Sequence, residues 1–161
     1  MSKKTSNSVQ RVRDALVAAG LDNEVKELSV STRSALEAAT AVGCEVGQIV
    51  KSLAVKGVGT GEVFMVLVNG SDRLSLEKVT ALVGEEVVMA DAGAVREQTG
   101  FAIGGVPPLG HLKTLKIYID EKLMDHAVIW AAAGSPNALF HLSPDDLVRI
   151  TGGTVTSVTE G

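Results

Sequence analysis

The sequence predicts one mixed α/β (α+β) domain, residues 1–161, around a central sheet. Three observations predict it. Short helical stretches with their own start or stop signals are interspersed with β-like apolar runs. Several of those runs are separated only by turn residues, as in hairpins. No internal repeat or low-complexity linker divides the 161 residues. A domain of this size buries a sizeable core without staples, and a hydrophobic fraction of 45% sets the chain apart from disordered sequences.

The elements follow in order. Residues 1–7 are polar and are expected to be flexible. Residues 8–19 carry Val9, Val12, Leu16 and Val17 at helical spacing, with Arg11, Arg13 and Asp14 between them, and Gly20 is a natural stop. A short extended piece, Val25 to Val30, follows. Ser34 and Glu37 have capping-box spacing ahead of an alanine-rich helix from Ala35 to Val42, which Gly43 ends. Ile49 to Val55 and Val63 to Val68 read as two strands of a hairpin. The turn between them, Gly57-Val58-Gly59-Thr60-Gly61, lacks the Gly-Lys-Ser/Thr ending of a phosphate loop and precedes a strand, so it is read as a plain turn.

Leu76, Val79 and Leu82 are expected on one side of a helix over 75–82, followed by a short strand at Val87–Met89. Asp91 caps a helix from Ala92 to Thr99. A loop of small residues and prolines spans 100–110. Strands are expected at 115–119, 127–132 and 139–142. Ser143-Pro144-Asp145-Asp146 is a strong helix start, with a cap, a proline at the first position and acids at the positive end of the dipole. That helix runs to about Ile150, and Thr154 to Val158 forms a last strand.

Composition narrows the function. The formal net charge is −4 and only 3% of residues are aromatic, which argues against a broad phosphate-binding surface or a base-stacking platform. The one cysteine, Cys44, excludes an internal disulfide and a multi-thiolate zinc site. The histidines His111, His126 and His141 stand too far apart in sequence for a ligand pair, so neither metal nor cofactor is expected. No signal core follows the polar start, and the apolar runs are too short to cross a bilayer, so a cytoplasmic location is expected.

Three segments can carry chemistry. Lys51 interrupts an apolar strand. It either snorkels from a sheet edge or serves as a fixed cation for a phosphate or developing oxyanion. In Gly104-Gly105-Val106-Pro107-Pro108-Leu109-Gly110-His111, glycines let backbone amides approach a ligand, and prolines stiffen the path. The segment is either a cradle for a carbonyl, with His111 lining it, or a structural turn. Gly134-Ser135-Pro136-Asn137 is either a turn or a pocket rim. Cys44 as a nucleophile needs a base beside it, and no Gly-x-Ser-x-Gly elbow is present.

Taken together, the alanine-rich helix leading to Ile49-Val50-Lys51-Ser52-Leu53, the loop from Thr99 to Pro108, and Leu142-Ser143-Pro144-Asp145-Asp146-Leu147 resemble the YbaK/EbsC family. That family comprises freestanding relatives of the editing domain inserted in bacterial prolyl-tRNA synthetases, and the resemblance spans about residues 8–158. It implies a barrel-like mixed sheet surrounded by helices and a trans-editing deacylase that hydrolyses the ester of mischarged tRNA, often tRNA for proline, without a metal. The family's lysine matches Lys51, and its Gly-x-x-x-Pro motif matches Gly104 to Pro108. Lys51 would then hold the terminal phosphate or ribose, and the amides of Gly104 and Gly105 the ester carbonyl. Val106, Pro107, Pro108, His111, Gly134 and Ser135 would contact substrate. The substrate's own hydroxyl would help orient the water. Where some relatives place a serine that senses the substrate side chain, this chain has Ala131-Ala132-Ala133, so a small apolar or hydroxylated amino acid fits as well as cysteine. The other readings are a non-catalytic tRNA- or nucleotide-binding module that docks on a synthetase, and a hydrolase of small activated esters.

Overall fold

The computed structural model describes residues 3–21, 24–29, 32 and 34–160. In chain order these form α1 (Lys3–Ala18), β1 (Val25–Glu27), α2 (Ala35–Val42), β2 (Ile49–Gly57), β3 (Val63–Asn69), α3 (Leu76–Val83), β4 (Val87–Met89), α4 (Ala92–Thr99), β5 (Lys116–Asp120), β6 (Ile129–Ala132), β7 (Ala138–Leu142), α5 (Pro144–Thr151) and β8 (Thr154–Thr156). Two 3-10 turns, Val46–Gln48 and Glu121–Asp125, lie outside the sequence expectation. They are too short to show a hydrophobic period. Helix α1 begins at Lys3 rather than at residue 8. Val30, the expected end of the first extended piece, lies outside the described residues.

Three local signals act as the sequence says: Ser34, Asp91 and Ser143 each accept a backbone N–H three residues on, from Glu37, Ala94 and Asp146. Ser75, expected inside its helix, is instead the cap and accepts from the Lys78 N–H. Gly43 ends α2 in the left-handed region at φ 77°. The turn at 57–61 is a turn: its amides at Gly59 and Thr60 donate to the Glu85 carboxylate, which also accepts from the Thr60 hydroxyl at 2.7 Å. These bonds hold the Glu85 carboxyl below the usual range, the Thr60 hydroxyl contributing most.

Two apolar assignments differ. Val9, Val12 and Leu16 are buried, but Val17 is 71% exposed, because one step beyond Leu16 turns the side chain about 100° around the helix. Val79 is buried, whereas Leu76 and Leu82 lie on the exposed flanks. Two successive steps of three residues leave those leucines about 120° apart on either side of Val79.

The eight strands form one mixed sheet in the order β1-β7-β6-β2-β3-β5-β8, with β4 also paired to β2. β2–β3 and β6–β7 are antiparallel neighbours joined by short turns; β3–β5, β5–β8 and β2–β6 are parallel and need longer crossovers. Every residue of β3 is buried. Its Met65 and Leu67 enter the main core with Val12, Leu16, Phe140 and Leu147, while Phe64, Val66 and Val68 face a second cluster with Val79, Tyr118 and Val158. A third cluster packs Ala38 and Ala39 of α2 on Ile49 and Leu139. Helices α1 and α5 therefore cover one face and α3 the other. No helix among the described residues is long and apolar enough to cross a membrane.

Candidate functional site

The site begins with a fork in the sheet. One edge of β2 pairs with β3 from Val50 to Lys56. The other edge is shared: β6 takes Ile49 and Val50, and β4 takes Val55 to Gly57. The Ala54 carbonyl accepts from the Ala90 N–H at 3.0 Å, just before the β4 ladder. Lys51, Ser52 and Leu53 therefore have no strand partner on this edge among the described residues. Main-chain groups in a strand point to alternate edges. Ser52, two residues before Ala54, presents its N–H and C=O to the gap.

A cavity of about 340 Å³ fills this gap. Its walls are largely apolar and include Ala35 and Ala38 of α2, Ala54, Met65, Ala90, Val95 and Ala132. Thr32, Ser34, Lys51 and Ser52 are the polar residues on it, and no His, Asp, Glu or Cys is among the described lining residues. The Ser52 hydroxyl is sealed from water and has no hydrogen-bond partner among the described residues.

The loop at 100–110 adds Ile103, Gly104 and Val106 to the lining. The N–H groups of these three residues donate to no described residue. The loop is held at its base and back. Phe101 is buried in the main core, beneath the Arg11 guanidinium at 4.3 Å, and Arg11 also donates to the Gly100 carbonyl. Gly105 donates to the Ala102 carbonyl and accepts from the Gly134 N–H at 2.9 Å. A Cβ on Gly105 would sit 2.6 Å from the Ser135 Cα, so only glycine allows this approach. Pro107 and Pro108 are buried. The His111 ring contacts the Pro107 carbonyl at 2.7 Å through Nε2. A carbonyl only accepts, so the proton is on Nε2, and burial pushes the imidazole pKa down.

Lys51 is half-buried, and its ammonium donates to the Asp72 carbonyl at 2.7 Å. Burial lowers its pKa from the usual lysine value; the charges of Asp72 and Asp120 pull it back up, and Arg73 lowers it. An ammonium has three donors; two remain for a ligand.

Of the residues singled out in the sequence, Lys51, Gly104 and Val106 meet at the cavity. Gly105, Pro107, Pro108, His111, Gly134 and Ser135 are not on its wall. They join the back of the loop to the β6–β7 turn, where a Cβ on Gly134 would meet the Ser8 carbonyl oxygen 2.6 Å away. The Gly105 amide is already donated to Ala102, so the open amides belong to Ile103, Gly104 and Val106. Ala132 of the alanine run lines the cavity, as does Ser52, which the sequence reading passed over. A hydroxyl beside Lys51 in an otherwise apolar strand is the signal that could have found it. Cys44 stays outside: its thiol donates to the Glu45 carbonyl, and burial raises its pKa, against nucleophilic use. His126 lies near Gly47 and Ser71, and His141 tilts against Trp130. No cluster among the described residues can hold a metal.

Fold and site together define a small α/β domain with an apolar pocket at a split sheet, one cation beside it and a stiff amide-bearing loop over it. This chain belongs to the aminoacyl-tRNA editing domain family, whose pattern it matches over residues 30–150. It is 30% identical over 140 residues to the uncharacterized protein YwhH of Bacillus subtilis, covering 87% of this chain and 88% of that one. It is 30% identical over 127 residues to EbsC of Enterococcus faecalis, a candidate Cys-tRNA(Pro)/Cys-tRNA(Cys) deacylase, covering 78% of this chain and 77% of that one. The crystal structure of a candidate trans-editing enzyme for prolyl-tRNA synthetase superposes with a TM-score of 0.92 at 50% identity, covering 97% of this chain and 99% of that one.

Proposed function

We propose that this protein is a trans-editing deacylase that hydrolyses the ester between a small amino acid and the 3′ end of a mischarged tRNA, tRNA for proline first. The observation that carries the reading is the apolar cavity lined by Lys51 and by Ile103, Gly104 and Val106, whose N–H groups donate to no described residue. Family membership and the named activities of EbsC and the superposed enzyme support it.

The chemistry needs few groups. Water attacks the ester carbon, the carbonyl oxygen gains charge, the bond to the ribose oxygen breaks, and that oxygen takes a proton that came from the water. Free amino acid and uncharged tRNA leave. The open amides, Gly104 foremost, stabilise the oxyanion. Lys51 holds the terminal phosphate or ribose as a point charge. With no acidic or imidazole base among the described cavity residues, water is oriented by the substrate's own hydroxyl, and positioning is the main rate term. The alanine-rich wall admits a small side chain. A cavity of this kind separates substrates differing by one methylene only by about 1–3 kcal/mol, so tRNA selection rests on contacts elsewhere, including hand-over by a synthetase.

A deacylation panel tests this: several amino acids charged on tRNA for proline and on tRNA for alanine, incubated with pure protein. Turnover of at least one pair is expected. Binding across the panel without turnover would leave a non-catalytic binding module instead. Hydrolysis of free aminoacyl esters that added tRNA does not inhibit would point to a small-ester hydrolase.

A further inference from the structure

The Lys51 ammonium hangs on a main-chain carbonyl, and that carbonyl sits in a turn held at every residue. Asp120 ends β5 and is fully buried. A buried carboxylate persists only when it is hydrogen-bonded. One of its oxygens accepts from the Asn69 backbone N–H at 3.0 Å and from Asn69 Nδ2 at 2.7 Å; the other accepts from the Lys122 N–H at 2.9 Å. Asn69 is 3% exposed and opens the 69–72 turn after β3. Its Nδ2 also reaches the Asp72 carboxylate at 2.9 Å, and its Oδ1 accepts from the Ser71 N–H at 2.8 Å. Lys122 completes the ring with an ion pair to Asp72 at 3.0 Å. Gly70 lies against Val46 and Ala35, where a Cβ would collide with the Val46 carbonyl oxygen. Asn69 pairs with Val50, the residue before Lys51.

Closing a turn does not require two buried polar side chains, which cost desolvation. What this arrangement supplies is a carbonyl at a fixed place. We propose that Asn69 and Asp120 are positioning residues, which fix the Lys51 ammonium through the 69–72 turn. The inference rests on the reading that Lys51 acts on the substrate. The charged groups that face the ammonium are Asp72 and Arg73 of the turn and Asp120 of β5; Lys122 pairs with Asp72.

The test uses the full chain with Asn69→Ala at a temperature where thermal unfolding shows it fully folded. Two readouts are taken: kcat and KM for deacylation, and hydrogen-exchange protection of the Lys51 ammonium by NMR of 15N-lysine protein. The expected result is a kcat/KM lower by about 10–100-fold and loss of the ammonium's protection. Wild-type kcat/KM with wild-type protection overturns the proposal. So does a fall in kcat/KM with protection retained, which a merely structural role would give. Loss of protection without loss of turnover supports the positioning and refutes the catalytic role of Lys51, a failure that Lys51→Ala shows independently. If Asn69→Ala does not fold, Asn69→Ser reads the same two quantities: it removes the Nδ2 bridge to Asp72 and Asp120, changes no charge, and leaves a hydroxyl in the turn.

Discussion

The two edges of β2 do opposite things with the same residues. Toward β3 the strand pairs without interruption from Val50 to Lys56, and the partner strand is buried throughout. Toward β6 and β4 the pairing stops after Val50 and resumes near Ala54. The closed edge satisfies backbone groups with backbone groups and buries apolar side chains on both faces, which is how a sheet gains stability. The open edge leaves Lys51 and Ser52 beside a cavity, where a ligand can take the place of a strand. The pocket here is a missing piece of sheet, and the stability of the intact half offsets that gap.

The comparison yields predictions that can break it. The largest effect is expected from Lys51→Ala on the open edge: deacylation falls by about 100-fold or more, with a thermal midpoint close to wild type. Full activity in that variant removes Lys51 from the mechanism. On the closed edge, Leu67→Ala, which empties a fully buried site opposite Ser52, is expected to cost about 2–5 kcal/mol in denaturant unfolding. Its kcat, measured where the variant is folded, stays near wild type; a collapse of kcat with unchanged stability would erase the division between the edges.

Gly105→Ala tests the loop that covers the gap. The added methyl meets the Ser135 main chain, so the loop shifts and kcat falls about tenfold, while the Lys51 ammonium stays in place. Deacylation corrected for spontaneous hydrolysis is expected to fall on the alkaline side below the ordinary lysine range, about 10.4, because burial lowers the Lys51 pKa and the ammonium is the active form. A profile that holds to the ordinary lysine value would show that Lys51 is solvated.

The smallest effect concerns His111. Its folded pKa is depressed, so the unfolded chain binds the extra proton, and stability rises with pH through this group. That contribution is present above the ordinary imidazole pKa of about 6.5 and is lost as pH falls below it. Unfolding midpoints at several pH values check this: His111→Asn should flatten the acid-side slope, and an unchanged slope would mean His111 does not carry it.

How much of this was open to sequence reading follows the range of each interaction. Ser34, Asp91 and Ser143 were readable as caps because acceptor and donor lie three residues apart. Lys51 was readable because a charge in an apolar strand demands a partner. Gly134, Ser135 and His111 looked like site residues because a pocket rim and a loop anchor use the same turn chemistry. They differ only in what packs against them, and here that is the backbone at Gly105, Ser8 and Pro107. Ser52 had a local sign, a hydroxyl in an apolar strand, whereas the Asn69–Asp120 pair gave none, since it spans 51 residues.

By itself the sequence determined the order and type of the main elements, most of their caps, the family resemblance and the candidate cation, Lys51. Those properties depend on side chains a few residues apart or on the order and spacing of segments along the chain. Only the tertiary structure decided that β2 is shared between β6 and β4, and hence where the gap, the cavity and the open amides lie. Strand partners are chosen by long-range burial and register, and no local pattern in β2 says which of its edges will be left open.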